Sequence, residues 1–224
     1  MKKTILQDVI TVQKKTSEKL MKKDLQKISF YYGLAVPVIG EILGILKGQK
    51  LTPSERRSLT YLGGLTGLFD DLFDEEKTSD IHIKTLLEKP TIEHTKSLKE
   101  QLVVTFYQKA LRRENSEQIK KHALLVFAAQ VLSQTQKNKE LSEKEIVEIT
   151  QQKGGASILF YRAALNGKIS QQEEKLCLQI GFLGQLENDI FDIYKDRKNK
   201  IYTLATRSKS IVELRKEYLN LCHY

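Results

Sequence analysis

Several helix-like segments of the chain begin with a Ser, Thr or Asn followed three residues later by Glu or Gln, among them Thr52 with Glu55, Asn115 with Gln118, Ser142 with Glu145, and Ser170 with Glu173. Each pairing marks a helix start. The short side chain accepts a hydrogen bond from a backbone N–H of the first turn, and the longer side chain reaches back to the cap's own N–H. Pro53 follows Thr52 at the first helical position, where its missing N–H has no intrahelical partner to lose. Only three prolines occur in the 224 residues, and strand-like alternation of apolar and polar residues is scarce. These signals specify an all-α chain, with helices near 5–22, 24–47, 53–75, 91–113, 116–136, 143–166, 171–197 and 209–221. Pro37 should kink the second, and the loop from Glu76 to Pro90 has room for a short helix from Asp80 and for a mobile lid.

A chain of this length is at the upper end of what one hydrophobic core serves, so a single domain over residues 1–224 is the first expectation and two smaller ones the second. The formal charge is +9, from 37 Lys and Arg against 28 Asp and Glu, which suits anionic partners. The basic residues are spread along the chain and lack the aromatic interleaving of single-strand binders, so no nucleic-acid partner is expected. Cys177 and Cys222 have no nearby Cys or His at ligand spacing, which speaks against zinc or a disulfide framework. The expected compartment is the reducing cytoplasm. No apolar run suits a signal peptide, and no transmembrane segment is expected: the most apolar stretch, Phe30 to Leu46, contains Pro37 and Glu41 and reads as a buried core helix.

Two segments carry the chemistry. In Tyr61 to Glu76, YLGGLTGLFDDLFDEE, Gly63, Gly67, Asp70 or Asp71, and Asp74 fall on one helical face. Glycine inside a helix costs about 1 kcal/mol relative to alanine, so its repeated use implies a benefit such as an open groove beneath the aspartates. In Gly181 to Asp196, GFLGQLENDIFDIYKD, the order repeats: Gly181, Gly184 or Gln185, Asn188, Asp192 and Asp196. Both helices are otherwise largely apolar, as buried helices are. The plain alternative is a pair of solvated acidic faces, and the duplication weighs against it. Mg²⁺ prefers oxygen ligands and is commonly held by one or two carboxylates plus substrate phosphate. A diphosphate bound to such ions is a good leaving group.

With those residues in view, the chain resembles the class I isoprenoid synthase superfamily. Asp70-Asp71-Leu72-Phe73-Asp74-Glu75 is similar to its first aspartate-rich motif, and Asn188, Asp192 and Asp196 to its second, in the form of a cyclase or of a squalene or phytoene synthase. The run QLENDIFDIYKDRKNKIY, Gln185 to Tyr202, and the element Ser29-Phe30-Tyr31 resemble the squalene and phytoene branch. Lys153, in Gln152-Lys153-Gly154-Gly155-Ala156, matches the Lys of a Lys-Thr pair in elongating prenyl synthases. The basic segment before the first motif and the Arg pair after it have no counterpart here, which points away from ordinary chain elongation.

The resemblance covers Ser29 to Tyr202 and implies an antiparallel helix bundle around a central cavity, the isoprenoid synthase fold. It implies a terpene synthase or prenyltransferase, a lyase or a transferase, that ionises an allylic isoprenoid diphosphate before transfer, condensation or cyclisation. Asp70, Asp71, Asp74, Asn188, Asp192 and Asp196 would hold up to three Mg²⁺ ions. Lys153, Gln185, Lys200 and Arg162 would contact the diphosphate, with Lys195, Arg197 and Lys198 nearby, and Gly67 and Phe73 would border the substrate. For Phe69, Phe106, Phe127, Phe160, Tyr161 and Phe182, as for Phe73, core packing competes with lining a tail pocket. His82, His94, His122 and His223 form no catalytic spacing. Only 28 residues follow Asp196, so a synthase partner subunit that supplies the C-terminal cap is a further expectation, and the resemblance implies a homodimer. The competing reading is a non-catalytic subunit that binds isoprenoid diphosphates or regulates a synthase.

Overall fold

The computed structural model describes residues 2–74, 78–111 and 115–222, without the side chains of 2, 3, 74 and 221. All regular structure among them is helical. The chain groups into two compact units, residues 1–124 with 161–167, and residues 125–160 with 168–224.

The first unit contains α1 (Lys2–Thr16), α2 (Lys22–Leu34), a π-helical segment (Ala35–Gly40), α3 (Glu41–Leu46), α4 (Pro53–Asp74), α5 (Asp80–Glu88) and α6 (Leu98–Ala110). α4 begins where the sequence places it: Thr52 N and Oγ1 donate to Glu55 Oε2 at 2.7 and 2.8 Å, and Glu55 N donates back to Thr52 Oγ1 at 3.2 Å. Its buried ridge of Leu59, Leu62, Leu65, Leu68 and Leu72 is the centre of the core, with α2 packed on it as one neighbour and α6 as another. The helix expected from 91 begins at Leu98, because Ser97 Oγ accepts the Glu100 N–H and caps it there.

Pro37 acts through a π-helical segment, Ala35–Gly40, that keeps Lys22–Leu46 one helical run. A proline removes one backbone donor, and a wider turn is one way to accommodate that loss. The expectation of a buried core helix needs correction. The run is 25 residues long and apolar enough to cross a membrane by length and composition, and only 33% of its apolar stretch is buried.

The second unit begins within α7 (Ser116–Ser133) and takes in most of α8 (Glu143–Arg162), then α9 (Gln171–Phe191), α10 (Ile193–Lys198), α11 (Leu204–Arg207) and α12 (Ile211–Cys222). Ser142 with Glu145 forms the reciprocal cap expected for α8, and Ser170 Oγ accepts the Glu173 N–H at the start of α9. Asn115, expected as a cap, donates its amide to the Leu165 carbonyl at 2.7 Å. Ile146, Ile149, Phe182, Leu186, Leu204 and Leu214 form the core of this unit.

Candidate functional site

Each unit carries one acidic segment. In the first unit Gly63 and Gly67 of α4 are contact points for α2. A Cβ on Gly63 would stand 2.7 Å from the Tyr31 carbonyl oxygen, and one on Gly67 would stand 3.0 Å from that of Lys27. The expected groove beneath the aspartates is therefore filled by helix backbone, and Gly67 does not border an open space on that side. The benefit that offsets the helix-interior glycines is close packing.

That packing sets the surroundings of Asp71. Lys27, on α2, forms an ion pair with Asp71 Oδ1. Lys99, on α6, stands 3.4 Å from Asp71 Oδ2 and 3.6 Å from Asp24 Oδ1. Asp71 is buried, and two lysines supply the positive charge that its position requires. Asp70 is half-buried at the end of the same helix, and the Asp74 side chain lies outside the described residues. Phe73 packs edge to face on Phe69, centroids 5.2 Å apart. Tyr161 donates to Thr66 Oγ1 at 2.8 Å, and burial raises its hydroxyl pKa, with the Asp70 charge adding to the rise. Arg162 is fully buried and donates to the Leu165 carbonyl at 3.3 Å, so it helps close the end of α8 rather than facing solvent. A cavity of about 400 Å³ lies at the other end of α4, beside Arg56, Arg57, Thr60 and Tyr61. Neither Asp70 nor Asp71 lines it.

The second acidic segment is built on α8, α9 and α10. α9 stops at Asp192, whose φ of −89° and ψ of 5° leave the helical region, and α10 resumes at Ile193. Asn188 is exposed, Asp192 is half-buried with Lys195 Nζ 3.4 Å away, and Asp196 is buried. The central group is one the sequence reading passed over. Asp189 is only 4% exposed. Gln185 Nε2 donates to its Oδ1 at 2.8 Å, while its Oδ2 is buried without a hydrogen-bond partner among the described residues. The spacing of four, three and four through Gln185, Asp189, Asp192 and Asp196 is the signal that could have found it.

Burial pushes the Asp189 carboxyl up to about 6, with the Asp196 and Asp192 charges adding to the rise and the Gln185 hydrogen bond and Lys153 charge opposing it. Burial also raises Asp196, again with Asp192 adding and Lys195 and Lys153 opposing. Lys153 and Gln185 are thus brought to this cluster. Lys200 is not tied to it by any described contact: it is exposed, in a left-handed turn with φ 55°, just past α10.

Among the described residues no three His, Cys, Asp or Glu side chains stand close enough to share one metal ion. The donor chemistry fits Mg²⁺ differently in the two places. Asp71 already has two lysines, whereas Asp189 presents an orphaned buried oxygen near Asp192 and Asp196. Mg²⁺ keeps several waters and needs only one or two carboxylates from a protein. No family model, no curated protein and no solved structure matches this chain.

Proposed function

We propose that the chain binds an isoprenoid diphosphate with Mg²⁺ and ionises it, the first step of transfer, condensation or cyclisation. The observation that carries this reading is the cluster of Asp189, Asp192 and Asp196 beside Lys153, with one buried carboxylate oxygen lacking a partner. Burying an uncompensated carboxylate is costly, so a site for a cation or its water is a physical reason to keep one. Asp192 and Asp196 would hold the metal, with Asn188 beside them and the Asp189 oxygen toward its waters. Asp70 and Asp74 are the candidates in the first unit.

When bound, Mg²⁺ supplies the charge that stabilises a departing diphosphate. The chain's own groups do the rest. Lys153 Nζ can donate to diphosphate oxygens, Gln185 holds Asp189 in place, and the overall positive charge draws in an anionic substrate.

One observation favours the second reading, a non-catalytic diphosphate-binding or regulatory subunit: Lys27 and Lys99 already neutralise Asp71. Calorimetric titration with an unreactive farnesyl thiolodiphosphate separates binding from chemistry. Binding is expected only with Mg²⁺ and should weaken about tenfold or more in Asp192→Ala. Equal affinity with and without Mg²⁺, or an unaffected Asp192→Ala, would count against the metal-assisted site, and no binding under either condition would count against both readings.

A further inference from the structure

The helical run Lys22–Leu46 has two unlike faces. Its inner face is committed to the protein: Ile28, Ala35, Val36, Gly40 and Leu43 are buried, and the Tyr31 and Lys27 carbonyls lie against Gly63 and Gly67 of α4. The outer face is apolar and open. Phe30 is 65% exposed, Val38 45%, Ile42 45%, Ile45 77% and Leu46 52%. Their spacing is close to multiples of four, which on a helix of about 3.6 residues per turn drifts around the axis. The wider turns of the π-helical segment at Ala35–Gly40 take up part of that drift and hold the residues to one stripe.

The charges on this run are one-sided. Lys22 and Lys23 are exposed at its start, and Lys50 is exposed four residues past its end. The carboxylates within it are engaged, Asp24 with Lys99 and Glu41 with Arg56. An exposed apolar stripe of this length, bounded by lysines and free of unpaired acid, matches the boundary between anionic headgroups and acyl chains.

We infer that this face is a membrane-docking surface that lies in the interface of an anionic bilayer. Spanning is a different arrangement, and the structure disfavours it. It would strip Asp24 and Lys27 of their partners and pull the inner face off α4, whereas docking uses only side chains already in solvent. Phe30 and Ile45 enter the acyl boundary, and Lys22, Lys23 and Lys50 meet lipid phosphates. This inference is independent of the proposed diphosphate chemistry.

The test is flotation of the full-length protein with unilamellar vesicles of phosphatidylcholine alone or mixed with phosphatidylglycerol, with light scattering of the protein alone. Wild type is expected to float with the mixed vesicles, weakly with neutral ones, and less as salt rises. The double variant Phe30→Glu/Ile45→Glu alters only exposed side chains and should keep its circular dichroism while losing about tenfold or more in vesicle binding. Lys22→Glu/Lys23→Glu should lose the preference for anionic lipid. Ile81→Glu, which changes an isoleucine that is 80% exposed outside the stripe, should bind as wild type. No binding to either vesicle, or equal loss in Ile81→Glu, overturns the inference. So does a dimer that Phe30→Glu/Ile45→Glu dissociates, which would assign the stripe to a second copy of the chain.

Discussion

Gly154 and Gly181 meet backbone to backbone: a Cβ on Gly154 would stand 1.9 Å from the Gly181 carbonyl oxygen. The contact brings α8 against α9 and places Lys153, the neighbour of Gly154, in the field of Asp189 and Asp196. Gly154→Ala must push the helices apart, because the atoms it meets are backbone. It is expected to lose about 3 kcal/mol in urea denaturation. Gly184 is the internal control, since a Cβ there meets nothing within 4 Å. Gly184→Ala should gain about 0.5–1 kcal/mol, the usual return for replacing a helical glycine where space allows.

Lys99 bridges Asp24 and Asp71, whose side chains are 1% and 11% exposed. Lys99→Met keeps most of the stem and removes the charge, leaving Asp24 with the Met21 N–H, which donates to its Oδ2 at 3.1 Å. The expected loss is about 2–4 kcal/mol by chemical denaturation. A loss near zero would mean that water reaches both carboxylates.

Asp189 gives a pH dependence whose sign is fixed by its raised carboxyl. Between its ordinary value of 3.8 and about 6 the folded chain holds a proton that the unfolded chain releases. The stabilising contribution is fully present below the unfolded value and is lost as pH rises through about 6. Asp189→Asn keeps the acceptor for Gln185 and removes the charge. In metal-free protein it should be more stable than wild type by about 1–3 kcal/mol at about pH 7.5, and the gap should close toward about pH 4. Urea denaturation in chelator at both pH values reads this directly.

The parts of this molecule that were legible in the sequence are those set within a few residues. The caps at Thr52 and Ser142 and the proline at position 53 place helix starts to the residue, because each depends on a local hydrogen bond. Lys27 and Asp71 are 44 residues apart, and no spacing rule announces their pairing. The glycines of α4 were legible as a line but not in purpose, since a missing Cβ serves a groove and a helix contact equally well. Asp189 sits beside Asn188 in a string whose resemblance to a motif does not use it, and its burial is set by tertiary packing. The outer face of Lys22–Leu46 reads as core by composition, and only the packing shows which half of it has a neighbour.

The most direct measurement is diphosphate release from geranyl, farnesyl and geranylgeranyl diphosphates, with Mg²⁺ and with chelator, in wild type, Asp70→Ala and Asp192→Ala, with organic extracts examined for the hydrocarbon product. Mg²⁺-dependent release by wild type from at least one substrate, reduced about a hundredfold or more in both variants, is the expected result. Analogue binding without release from any of the three would contradict catalysis and leave the diphosphate-binding subunit standing. Release that survives both substitutions would show that these carboxylates are not the site.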